Sequence, residues 1–178
     1  MQPQIAKTHR RECLCHPTDM YLRMLLLAAL LALPYASSGA GDAPLDRATL
    51  RGLKSVNVVI DRLDPKLEDA GLTAPILEAR IEEHLRRGGV AVDKSAVPFL
   101  GLRVLEVRAN HGPYALSLEM GVYQPVLLVR DPGIRTATQT WEADTVLMAG
   151  PRELNEAALD SVDELTDGFT AAWRSVNP

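Results

Sequence analysis

Apolar and polar side chains alternate without a break from Tyr114 to Tyr123, with Tyr114, Leu116, Leu118, Met120 and Val122 on one side and Ala115, Ser117, Glu119, Gly121 and Tyr123 on the other. A period of two belongs to a strand with one buried face. Three further runs read as strands. Val56, Val58 and Ile60 alternate with Asn57 and Val59; Leu100 to Val107 follows; and Ala137, Trp141, Ala143, Thr145 and Leu147 alternate with Thr136, Thr138, Thr140, Glu142 and Asp144. Their β-branched content suits a pleated, half-buried surface. A short segment, Val90-Ala91-Val92, lies between the first two.

If the strand from Tyr114 ran on to Val129 it would span about 50 Å at ~3.3 Å per residue. A domain of this size does not cover that length, so Gly121 and Pro125 are expected to bend or bulge the chain. Asp131-Pro132-Gly133 is expected to reverse it through a loose loop, because an L-Pro-Gly pair has the wrong twist for a two-residue hairpin.

Two segments carry the helical period instead. Leu77, Ile81 and Leu85 recur at i+4, Thr73 is placed as N-cap with Pro75 in the first turn, and Leu72 with Leu77 fits a hydrophobic staple. Glu82 with Arg86 and Glu83 with Arg87 pair at i+4 on the wet side, and Gly88-Gly89 ends the helix. The second helix is expected to open at Gly150-Pro151 and to bury Leu154, Ala158, Val162, Leu165 and Phe169. Residues 41–54 show no assignable period and read as a linker. The order β-α-β-β-β-α predicts one α+β domain over residues 55–178, a two-layer sandwich whose four main strands form a mixed or antiparallel sheet with both helices on one face.

Ahead of that domain, Met24 to Leu33 is wholly apolar, Arg23 stands before it, and Ser38-Gly39-Ala40 offers the small-x-small pattern of a cleavage site. This is the anatomy of a secretory signal over residues 20–40, cleaved near Ala40. The run is about half of the 20 residues a bilayer span needs. Residues 1–19 fit poorly as part of a signal, which places the expected start at Met20 or Met24. A periplasmic or secreted location follows, with no stable membrane anchor. Both cysteines, Cys13 and Cys15, precede the expected cleavage point, so the exported part is expected to contain no thiol. Cys13-Leu14-Cys15-His16 has one residue between the cysteines where covalent haem attachment requires two.

Residues 1–40 hold four of the 19 Lys+Arg and two of the 23 Asp+Glu, leaving 15 against 21. That acidic balance argues against a nucleic-acid partner. No phosphate loop, no zinc-ligand spacing and no nucleophile elbow occurs. Asp163 to Gly168 resembles the start of a calcium loop, but Leu165 and Arg174 occupy ligand positions. No metal, no cofactor and no catalytic residue is expected. His84 lies at the boundary of the first helix's apolar stripe, and His111 sits in the turn Asn110-His111-Gly112-Pro113 without a neighbour to orient it.

With both helices on one face, the other face would show Val59, Leu105, Val107 and Tyr123 among Ser117, Thr138, Thr140 and Glu142. Apolar residues grouped on an open face mark a partner surface. The element order over Val56 to Val176, behind a signal, resembles the lipopolysaccharide-assembly lipoproteins of the outer membrane and, more loosely, the N-terminal domain of TolB-type periplasmic proteins. It departs from the former in having no cysteine after the signal to acylate. The resemblance implies an envelope role and assigns no residue. The expectation is a non-catalytic accessory protein that binds an envelope protein, or itself, through the open face or an edge strand. The alternative is a small-molecule-binding or hydrolytic domain with a pocket near His111 and Asp131.

Overall fold

A computed structural model describes residues 41–108 and 113–178. The expected export signal, Cys13, Cys15 and His111 lie outside the described residues. Along the chain come α1 (Pro44–Ala48), β1 (Ser55–Ile60), α2 (Pro65–Asp69), α3 (Ala74–Arg87), β2 (Ala91–Val92), β3 (Phe99–Arg108), β4 (Tyr114–Leu128), β5 (Asp131–Ala149) and α4 (Leu154–Val176). The fold is α+β, with one mixed sheet ordered β2-β1-β3-β4-β5. β1 is parallel to β2 and β3, while β3, β4 and β5 form an antiparallel meander.

The alternation of the strands decides which face the helices cover. Val56 and Val58 of β1, Leu100, Leu102 and Val104 of β3, Leu116 to Val122 at every second position of β4, and Trp141 of β5 are all buried. Against them pack Leu77, Ile81 and Leu85 of α3 and Leu154, Ala158, Val162, Leu165 and Phe169 of α4. α3 begins and ends as its sequence predicts, with Thr73 extended at the N-cap and Gly89 at φ +83° just past the end. α2 opens with Pro65 in its first turn, and the Asp64 side chain caps it by accepting from the Lys66 N–H at 2.9 Å.

Four expectations need correction. Residues 41–54 are not a plain linker: they contribute α1, and Leu50 and Leu53 enter the core. α4 starts at Leu154, because Gly150-Pro151 opens a separate turn in which the Glu153 N–H donates to the Gly150 carbonyl at 3.0 Å. β4 runs unbroken to Leu128, and the chain reverses at Val129-Arg130, with Leu128 paired to Asp131. Pro132, which has no N–H for a ladder, falls in the excess length looped out before Leu127 pairs with Arg135.

The bulge expected near Gly121 sits across the ladder, on β5: Val122 pairs with Trp141 and Tyr123 with Gln139, leaving Thr140 over. That extra residue reverses the parity of everything before it. Thr138 and Thr140 therefore leave the open face; Thr140 accepts from Gln124 Nε2 at 2.9 Å, and the same amide donates to the Thr49 carbonyl at 3.1 Å. Because β3 begins opposite Tyr123, the stretch Gln124–Leu128 with Asp131–Thr138 projects past the sheet as a two-stranded ribbon of about 16 Å at ~3.3 Å per residue.

Candidate functional site

The uncovered face of the sheet divides into a polar middle and an apolar end. In the middle, Gly101 and Gly121 are ladder partners and leave the backbone bare. A Cβ on Gly101 would come within 3.2 Å of the Tyr123 ring, and one on Gly121 within 2.6 Å of Gln139 Nε2. The glycines thus let Tyr123 and Gln139 lie flat on the sheet, where the Tyr123 hydroxyl donates to Gln139 Oε1 at 2.9 Å. Tyr123 stacks on Phe99 with ring centroids 4.9 Å apart and 8° between planes. The Gln139 amide donates to Glu142 at 2.5 Å and to Glu119 at 3.3 Å.

Arg103 stands among these acids, 3.1 Å from Asp61 and 3.6 Å from Glu119. The hydrogen bond to Asp61, with the Glu119 charge beside it, raises the Arg103 pKa. Burial pushes the Tyr123 hydroxyl up, and the Glu119 carboxylate adds to that. One guanidinium, three carboxylates and an amide answer one another here without a nucleophile–base pair. The cluster fixes side chains on the sheet surface.

Toward the other end the face turns apolar. Leu105 pairs with Ser117 and Ser117 with Val146; Val107 pairs with Ala115 and Ala115 with Met148. Six residues on three adjacent strands thereby share one surface. Leu105, Val107, Val146 and Met148 are 58, 74, 70 and 72 % exposed. The edge beside them takes no partner strand among the described residues. The Glu142 N–H donates outward to the Gly41 carbonyl at 3.2 Å, so backbone groups of Asp144, Val146 and Met148 also point away from β4. β5 is the sheet's edge strand.

Of the four residues expected to form a partner surface, Leu105 and Val107 stand together in this strip. Val59 is half-buried beside Gly101, and Tyr123 belongs to the polar middle. Val146 and Met148 escaped the sequence reading although they continue the outward set of Glu142 and Asp144. His84 bridges the helices, 2.9 Å from Asp163 and 3.4 Å from Asp167, while Arg80 grips the same Asp163 at 2.8 and 2.5 Å. Of the alternative pocket expected near His111 and Asp131, His111 lies outside the described residues. Asp131 is exposed at the ribbon tip, accepting from the Gly133 N–H at 3.0 Å. Arg108 and Pro113, which flank the segment containing His111, stand at the opposite end of the 15-residue β4. Among the described residues no group of His, Cys, Asp or Glu is placed to hold a metal ion, and no helix is long and apolar enough to cross a membrane.

No family model matches the chain, and no curated protein matches it. Solved structures similar to it at low identity include two from bacteria. A PelC dodecamer from Paraburkholderia phytofirmans is 17% identical with a TM-score of 0.37, covering 67% of this chain and 86% of its own. A minor lipoprotein from Acinetobacter baumannii is 14% identical with a TM-score of 0.26, covering 65% of this chain and 89% of its own. With TM-scores this low, neither carries an argument about what this chain does.

Proposed function

We propose that this chain is an exported, non-catalytic accessory protein of the cell envelope that binds another envelope protein through the apolar end of its open sheet face and the adjoining edge of β5. One observation supports this above the rest: the exposed Leu105 and Val107 of β3 and Val146 and Met148 of β5 join, through Ser117 and Ala115 of β4 between them, into one surface across three strands. An open antiparallel face is ordinarily polar, and a contiguous apolar patch rimmed by polar groups is the common mark of a contact surface. The outward backbone groups of Asp144, Val146 and Met148 add the means for an extended segment to pair with the edge.

Site-specific photo-crosslinking in the producing cell tests the reading. A benzophenone side chain at Ser117, in the centre of the strip, should yield a discrete adduct with an envelope protein, and one at Thr138 should not. Leu105→Glu should remove the adduct and leave the thermal melt unchanged, since Leu105 makes no core contact. An adduct at Ser117 that survives Leu105→Glu, or none at all, would reject the strip as a binding surface.

A further inference from the structure

The tip of the β4–β5 ribbon is built from residues that folding does not call for. Short hairpin loops favour Asn, Asp and Gly; here the two turn residues are Val129 and Arg130, and Val129 is 99 % exposed. Leu127 and Ile134 flank it, also exposed. Their only ladder is the ribbon itself, so no core accounts for them. Arg130 and Arg135 stand exposed among these apolar side chains. The one acid of the tip, Asp131, turns an oxygen back onto the Gly133 N–H. Two arginines against one aspartate make the tip locally positive on a chain whose net charge is −4.

An apolar point ringed by guanidinium groups, at the end of an arm held clear of an acidic body, complements the boundary layer of an anionic bilayer. Apolar side chains gain by entering that layer while arginines keep their charge at the phosphates. The acidic body is repelled by the same surface, which leaves the arm as the part that approaches. A two-stranded ribbon cannot sink further, because its unpaired edge groups are costly in hydrocarbon. We propose that the ribbon tip docks on an anionic membrane surface, with Leu127, Val129 and Ile134 in the interface and Arg130 and Arg135 on lipid phosphates. The contact is peripheral, and it is independent of the apolar strip at the other end of the sheet.

Co-sedimentation of the full chain with vesicles of phosphatidylcholine alone, or with about one-third phosphatidylglycerol, tests this at low and at physiological salt. Binding should require phosphatidylglycerol and weaken with salt. Arg130→Gln and Arg135→Gln should each lower affinity about fivefold, and Val129→Asp should lower it further. Val129→Ser serves as a second variant, and unchanged circular-dichroism melts would show all four folded. In Val129→Trp, quenching by brominated lipid should exceed that of the wild type, whose Trp141 is buried and whose Trp173 is half-buried against the core on α4. Vesicle binding equal in wild type, Val129→Asp and Val129→Ser would place the contact elsewhere in the chain and overturn the proposal. So would a wild type indifferent to phosphatidylglycerol, including one that captures an acidic protein and ignores vesicles.

Discussion

Trp141, 1 % exposed at the centre of β5, donates its indole N–H to the Asp42 carboxylate at 2.8 Å. The same carboxylate receives Arg47 at 2.7 and 2.5 Å. Asp42 thereby ties the segment before α1 to the sheet, at the place where the Gly41 carbonyl covers the β5 edge. Burial pushes the Asp42 carboxyl up, but the hydrogen bonds from Arg47 and Trp141 outweigh it and hold its pKa below the ordinary value.

A carboxyl depressed in the folded state contributes stability that is present above its unfolded pKa and lost as pH falls through the folded one. Asp42→Ala is therefore expected to cost about 1–3 kcal/mol at pH 7, mainly by stranding the buried indole N–H. Its deficit against wild type should shrink once the pH drops below the ordinary aspartate range, about 4. Urea melts of both proteins at neutral and acid pH check this. A deficit that stays constant with pH would mean that the carboxylate's charge contributes nothing.

The junction of the two long helices predicts a second effect. Gly88 ends α3 against Thr170 of α4, and a Cβ there would overlap the Thr170 methyl group. Its backbone is ordinary αR, so Gly88→Ala introduces no backbone strain. The expected loss of about 1–3 kcal/mol is overpacking alone, and Thr170→Ser, which removes the methyl, should restore most of it in the double variant. A double-mutant cycle by chemical denaturation reads the coupling.

Gly88 was legible in the sequence as a helix stop, but its second role was not, since helix–helix distance leaves no trace in one chain's pattern. The same divide runs through the whole molecule. Period-two alternation located the start of β4 and its buried face from Tyr114 to Val122, and caps and staples placed α3. What failed was parity across irregularities. Thr140 is one surplus residue in β5, and it carried Thr138 to the wrong side of the ribbon because a bulge has no composition of its own. The strip suffered differently. Leu105 and Val107 were visible as outward positions, but only the register joining them to Ser117, Ala115, Val146 and Met148 makes a surface of them.

The ribbon's exposure has a consequence in solution. A two-stranded hairpin without a third strand or a helix against it is marginally stable, so its local opening costs far less than global unfolding. Trypsin under native conditions should cut first at Arg130 and Arg135, both exposed in the ribbon, ahead of Arg80 and Arg86, which are held in ion pairs on α3. Timed digestion followed by mass spectrometry gives the order. Early cleavage within α3 would show that the ribbon is braced in a way its ladder does not reveal.

Glu106 supplies the last expectation. It lies on β3 opposite Leu116, on the helix-facing side, and both carboxylate oxygens are buried without a hydrogen-bond partner. A buried polar group left unpaired costs about 1–3 kcal/mol relative to one that is satisfied, and an apolar side chain of similar size avoids that cost. Glu106→Leu is therefore expected to raise stability by about 1 kcal/mol, whereas Glu106→Ala, which also opens a void, should gain less or nothing. For a domain of this size the first should appear as a rise of about 2–8 °C in Tm. A fall in Tm for Glu106→Leu would mean that the carboxylate is engaged by the chain beyond Arg108, and would make Glu106 a residue kept for an interaction instead of one tolerated at the core's edge.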